Sequence, residues 1–205
     1  MGQIRLREWL EEDAPVVLRA FRAPDLRSQS AWPVVTPRDA VGWIASWEGA
    51  GHAFAVVLDG RVVGNVAVTR IDDHGAGSVS YWTVPEARGL GVAASALRAL
   101  TRWAFTERGL HRLELGHRVD NLASCRVAVK AGFRPEGIER DRLHHDGVRH
   151  DRFHHDGVRH DVERHARLAT DPPPFVLCPD ESTTAHPVPA GPPVIRGAGG
   201  QWVDG

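Results

Sequence analysis

The stretch Arg88-Gly89-Leu90-Gly91-Val92-Ala93 combines residue types and spacing that point to chemistry. Glycines in a turn that runs into a helix let main-chain N–H groups approach an anion, and the helix start adds partial positive charge. The expected ligand is a phosphate or diphosphate. The stretch is not a Walker loop, because no Lys-Ser/Thr follows the last glycine. It meets only the looser form of G-x-G-x-x-G, with Ala94 in the third position. Glu107 or Glu114 stands roughly 20 positions on, so spacing alone leaves a dinucleotide fold open. A second cluster lies downstream. Seven histidines fall between His144 and His165, interleaved with Asp146, Asp151, Asp156 and Asp161, a donor set that suits zinc, nickel or copper. Helical His-x-x-x-His spacing is absent within the repeat unit, where His145 and His150 stand five apart. Adventitious metal binding, with no metal required, is the expectation. Imidazoles here also titrate between about pH 5 and 8, but no partner element for a switch is legible.

The elements that position the glycine turn follow from pattern. Ile4-Arg5-Leu6-Arg7 has strand period, and Asp13 predicts a helix N-cap with Pro15 in the first turn and Val16, Val17, Leu18 and Phe21 following. Thr36-Pro37 repeats that start signal for a helix carrying Val41, Ile44 and Trp47. Ala53–Leu58 and Val62–Val68 read as strands joined by an Asp59-Gly60 hairpin turn, and a further strand from Ser78 stops at Pro85. These hairpin strands argue against a dinucleotide-binding βαβ unit. Val92, Ala96, Leu97, Leu100, Ala104 and Phe105 predict a helix closed by Gly109. Arg112–Leu115 predicts a strand, Asn121 or Ser124 the start of a helix closed by Gly132, and two strands follow Phe133.

Within that last pair of strands, His144-His145-Asp146-Gly147-Val148-Arg149-His150-Asp151 recurs ten residues later as His154–Asp161. Two copies are too few for a solenoid. The reading is a tandem duplication, residues 142–161, inside a hairpin whose base keeps its pairing while the extra residues go to the tip. Eight of the 14 prolines fall between Pro172 and Pro193, and residues 171–205 have little to bury, so a disordered tail is expected there, with Ile195 and Trp202 its candidates for docking.

Composition narrows the function classes. A formal net charge of -1 and arginines balanced by Asp and Glu give no reason to expect a nucleic-acid partner. No apolar run approaches the roughly 20 residues of a membrane span, and no signal core follows Met1-Gly2-Gln3-Ile4-Arg5. Cys125 and Cys178 lack C-x-x-C spacing, which predicts reduced thiols and a cytoplasmic setting.

Arg88, Gly91 and Ala93 fit R-x-x-G-x-G/A, and this resembles the acetyl-CoA diphosphate loop of the GNAT N-acetyltransferases. Tyr81-Trp82-Thr83-Val84-Pro85-Glu86 before it resembles the RimJ/RimL-type branch, which acetylates N-terminal amines of ribosomal proteins. So do Asn121-Leu122-Ala123-Ser124, Lys130-Ala131-Gly132-Phe133 and Glu136-Gly137 after it. The resemblance covers about residues 3 to 170 and includes the element order β-α-α-β-β-β-α-β-α-β-β. It implies an α+β fold in residues 1–170: a twisted, mostly antiparallel mixed sheet flanked by helices, with one parallel strand pair that splays.

For the site, the resemblance implies acetyl-CoA as co-substrate. Its pantetheine arm would pair with main-chain groups of Trp82, Thr83 and Val84. Its diphosphate would sit on Arg88, Gly89, Leu90, Gly91, Val92 and Ala93. Asn121 matches the Asn that contacts the arm, and Ser124 the proton donor to the leaving thiolate, although turn and cap chemistry also explain this pair. Glu114 is the candidate base; a salt-bridged strand residue is its plainer role. Tyr81 is expected to pack. The acceptor is an amine: a peptide N-terminus, an aminoglycoside-like amine or a free amino acid. Trp32, Trp43 and Trp47, from the first helices, are candidates for lining its groove, with core packing the plainer role for at least two of them. The expected assembly is a monomer or homodimer. The alternative is a GNAT-like module that binds acyl-CoA without catalysis.

Overall fold

The computed structural model describes residues 2–27, 30, 32–144 and 159–174. The duplicated tip at 145–158, Cys178, Ile195, Trp202 and the expected tail beyond 174 lie outside the described residues.

Seven strands form one mixed sheet. In chain order they are β1 (Ile4–Glu8), β2 (Gly51–Leu58), β3 (Arg61–Thr69), β4 (Ala76–Thr83), β5 (Arg112–Arg118), β6 (Arg134–His144) and β7 (Arg159–Leu168). Their order in space is β1-β2-β3-β4-β5-β7-β6. Only β4 and β5 run parallel. Five helices complete the described residues: α1 (Ala14–Ala20), α2 (Pro24–Arg27), α3 (Pro37–Ala45), α4 (Val92–Thr106) and α5 (Leu122–Lys130). This is the α+β architecture expected, with one added element, the short α2.

The local signals explain most elements. Asp59 and Gly60 both have positive φ (47° and 81°), the backbone of a two-residue hairpin turn whose twist matches the strands. Thr36 caps α3 reciprocally: its hydroxyl accepts from the Asp39 amide at 3.2 Å, and the Asp39 carboxylate accepts from the Thr36 amide at 2.7 Å. Asp13 occupies the cap position of α1, but its side chain makes no cap hydrogen bond. Instead the Arg7 guanidinium donates to both its oxygens, at 2.6 and 2.8 Å, and the Leu10 amide donates at 3.0 Å. That pair ties β1 to the start of α1.

Both faces of the sheet are covered. On one, Val66 and Val68 of β3 share a face with Phe54 and His52 of β2, and both rings pack on Trp103 of α4. The other face carries Asn65 and Trp82. Trp82 meets Phe21 of the α1 turn and Trp43 of α3, and the Asn65 amide oxygen accepts from Trp9 Nε1 at 2.9 Å. Trp43 is buried in this aromatic cluster, Trp47 meets it edge-on, and Trp32 lies partly buried against the core.

The β6–β7 hairpin joins the start of the first decamer to the end of the second: Leu143 pairs with His160 and His144 with Arg159. A bulge between Glu139 and Leu143 places Asp141 at φ 53°, where the Asp161 carboxylate accepts from its amide at 2.9 Å. Ordered contacts continue past residue 170, since Asp171 accepts from the Leu168 amide at 2.9 Å. Among the described residues no helix is long and apolar enough to cross a membrane.

Candidate active site

The parallel pair β4–β5 is joined at three positions only: Ala76–Arg112, Gly77–Leu113 and Ser78–Glu114. Beyond Ser78, β4 stays paired with β3 as far as Thr83, while beyond Glu114, β5 pairs with β7 as far as Arg118. The two strands therefore diverge toward their C-terminal ends, and each turns an unpaired edge toward the gap. Unpaired strand edges are main-chain donors and acceptors awaiting an extended partner.

The glycine turn stands at the mouth of this gap. After Thr83 the chain makes one 3-10 turn, Pro85–Ala87, and then enters α4 with Gly91 as its N-cap. Gly89 (φ 76°) and Gly91 (φ 74°) are both left-handed, a conformation that side chains with a Cβ adopt only with strain. Gly91 gives α4 no side-chain cap. The first amides of this 15-residue helix thus point out of its end with the positive pole of the helix behind them. The Arg88 side chain braces the turn: its Nη2 lies 2.7 Å from the Asp25 carboxylate of α2, and its Nε donates to the Thr83 carbonyl at 3.3 Å.

Across the gap, Asn121 caps α5, its side-chain oxygen accepting from the Ser124 amide at 3.0 Å. The Tyr81 hydroxyl reaches over from β4 and donates to the Ser124 carbonyl at 3.3 Å. Burial pushes the Tyr81 hydroxyl up to about 12, against a smaller lowering from its bond to Ser124. It remains a donor across the whole physiological range, and it locks the first turn of α5 against the splayed strand.

These parts enclose one cavity of about 310 Å³, in the size class of small-molecule sites. Of the residues singled out by sequence, Trp82, Thr83, Arg88, Gly89, Gly91, Val92, Ala93, Asn121 and Ser124 line it. Val84, Leu90 and Glu114 are not in the lining. The Val84 amide is committed to the Val63 carbonyl at 2.9 Å, and Leu90 is turned to solvent. Glu114 sits at the last paired position of the splay, on the face that carries Trp82. Its oxygens accept from Arg112 and Arg164, each at 2.8 Å, so it ties β5 to β7. Sequence reasoning passed over Arg126 and Lys130, which stand one turn apart on α5 and bring two cations to the cavity. The available signal was that Lys130 is the only lysine in the chain. Tyr81, read as packing, also belongs to the lining.

The family model described as "Acetyltransferase (GNAT) domain" matches residues 3–134, and the chain belongs to that family. It is 38% identical over 88 residues, 42% of this chain and 48% of the relative, to "Probable N-acetyltransferase YjcK" of Bacillus subtilis (strain 168). The chain spans about half the length of such curated relatives. Among solved structures, "Mycobacterium smegmatis RimJ in complex with CoA-disulfide" is 25% identical with a TM-score of 0.67, covering 82% of this chain and 83% of that one. A spermidine N-acetyltransferase of Vibrio cholerae, SpeG, shares the fold at 20% identity and a TM-score of 0.66, covering 81% and 94%.

Proposed function

We infer that this protein transfers the acetyl group of acetyl-CoA to a primary amine, with a protein N-terminal amine as the acceptor. The observation that carries the reading is the divergence of β4 and β5 after Ser78–Glu114 directly below an uncapped helix start. In it the diphosphate lies on the amides of the Gly89–Ala93 turn, with Arg126 and Lys130 beside it. The pantetheine arm runs down the gap as an added strand along Trp82 and Thr83. The cap at Asn121 uses only the side-chain oxygen, so its amide nitrogen donates to a carbonyl of the arm.

The amine nitrogen attacks the thioester carbonyl carbon, forming the C–N bond as the C–S bond breaks. Holding both reactants in one cleft removes the entropy of bringing them together. The leaving thiolate takes a proton from the Ser124 hydroxyl, and the proton released by the new amide nitrogen passes through water to restore that hydroxyl. Glu114 positions the two strands at the apex of the splay rather than acting as base. The N-terminal-amine acceptor rests on the RimJ/RimL-like motifs and on the RimJ neighbour; the spermidine-acetyltransferase neighbour makes a polyamine the competing acceptor.

The test is acetyl-CoA-dependent thiol release across a panel of peptides with free N-termini, spermidine and an aminoglycoside. Calorimetry with CoA alone runs in parallel. Turnover is expected with a peptide; CoA binding with no turnover on any amine would leave a binding module, and no CoA binding would overturn the whole reading.

A further inference from the structure

Behind the cavity, where β5, β7 and α5 meet, four side chains of metal-ligating type converge: His117, Cys125, Glu163 and His165. His117 and Glu163 are paired partners in the β5–β7 ladder, and His165 lies two residues along from Glu163 on the same face of the sheet. Cys125 comes from the first turn of α5. One potential donor atom from each lies within 4.8 Å of all the others. None of the four lines the acetyl-CoA cavity.

The spacing is that of a coordination shell. His117 Nε2 and His165 Nε2 are 3.1 Å apart, and the Glu163 carboxylate oxygen lies 3.4 Å from the first and 3.3 Å from the second. This is a nearly equilateral triangle. A tetrahedral zinc with bonds of about 2.0–2.1 Å has ligand–ligand edges of about 3.3–3.4 Å, so the three atoms match one face of such a tetrahedron, and the Cys125 sulfur, within 4.8 Å of each, needs a small inward shift to reach the fourth corner.

The hydrogen bonding supports the same reading. His117 Nδ1 lies 2.9 Å from the Arg118 carbonyl, which fixes Nδ1 as the protonated nitrogen and turns the Nε2 lone pair into the cluster. His165 is almost wholly buried, with its Nε2 turned toward His117 and Glu163. His117 Nε2 and His165 Nε2 lie within hydrogen-bond distance of each other and close to the Glu163 carboxylate, so a metal ion would take the place of the protons shared among them.

We propose that His117, Cys125, Glu163 and His165 form a structural binding site for a divalent transition-metal ion of the zinc class. Two imidazoles, a thiolate and a carboxylate suit zinc, and four protein ligands close the shell, so the ion holds structure and does not activate water. On binding, the Cys125 thiol proton is released to solvent as the metal–sulfur bond forms. The ion clamps the first turn of α5, which carries Ser124, onto β5 and β7.

The test uses the full chain with Cys178→Ser, stripped with chelator and reloaded with zinc or cobalt(II). One equivalent of metal should survive dialysis, and cobalt should give the intense visible bands of a tetrahedral site plus a thiolate-to-cobalt charge-transfer band. In this background the thiolate band reports Cys125 alone, which separates the site from the histidine-rich repeat. Cys125→Ser and His117→Gln should each lose the bound equivalent, whereas deletion of residues 147–156 should keep it. If the variants do not fold, alkylation of Cys125 in the Cys178→Ser chain decides. Saturating zinc should slow it at least ~10-fold, reversibly with chelator. A cobalt spectrum without the thiolate band, or an alkylation rate indifferent to zinc, overturns the proposal.

Discussion

Gly91 carries two requirements at once: a left-handed backbone at φ 74° and an open line from the α4 amides to an anion. Gly91→Asp would strain the first by about 1–2 kcal/mol and place a negative charge on the second. CoA affinity by calorimetry should fall at least ~100-fold, equivalent to about 2.7 kcal/mol, while the strain lowers the melting temperature by only a few degrees. Ser124 is different, because the α5 cap uses its amide and not its hydroxyl. Ser124→Ala therefore keeps the helix start and removes only the donor assigned to the thiolate. The expected result is a drop in kcat of about 10²-fold at unchanged acetyl-CoA affinity, measured by steady-state thiol release and calorimetry. A kcat within twofold of the parent would take the proton-donor role away from this residue.

Elements were legible where a local signal and the tertiary need coincide. Asp59-Gly60 announces the β2–β3 hairpin, and Thr36-Pro37 announces α3 with its reciprocal cap. Asp13 shows the opposite case. It looks like a cap, and its partner is Arg7, six residues back across a turn, which no local pattern reveals. The short α2 has no period to read, because four residues make barely one turn and only Leu26 is buried. β5 outran its expected end at Leu115 because Gly116, His117 and Arg118 gain strand geometry from pairing with β7, not from propensity. The glycine turn was readable because Gly89 and Gly91 fall in one short stretch of sequence. The His117–Cys125–Glu163–His165 cluster was not, because its members come from three elements and only the fold gathers them.

The Arg7–Asp13 pair yields a pH prediction at this scale. Burial raises the Asp13 carboxyl, but the Arg7 guanidinium and the Leu10 amide outweigh it and hold it below the ordinary carboxylate value. A folded-state value below the unfolded one stabilises above the unfolded value of about 3.9 and loses that stability as pH falls through the folded one. Asp13→Asn should cost about 1–3 kcal/mol at neutral pH. In denaturant titrations the gap to the parent should close as the pH is taken below about 4. A gap that persists at low pH would show that packing, and not charge, sets the cost.

For the whole molecule, the decamer duplication leaves the sheet at His144 and rejoins it at Arg159. The β6–β7 pairing resumes at His144–Arg159 whatever lies between them. Deleting residues 147–156 restores a single copy without touching either paired residue. Loop-closure entropy then favours the shorter chain by about 1 kcal/mol, so the melting temperature should stay level or rise slightly, and CoA affinity should not move. A large loss of stability would mean that the second copy packs on the domain.

The splay has one more consequence. β1–β4 form one half-sheet and β5–β7 the other, and among the described residues the short run Gly75–Ser78 against His111–Glu114 stitches their backbones together. A guest that hydrogen-bonds to both free margins would finish the weave that the polypeptide leaves incomplete. Co-substrate would then act as a removable thread in the fabric, and the emptied protein would part most easily along that line.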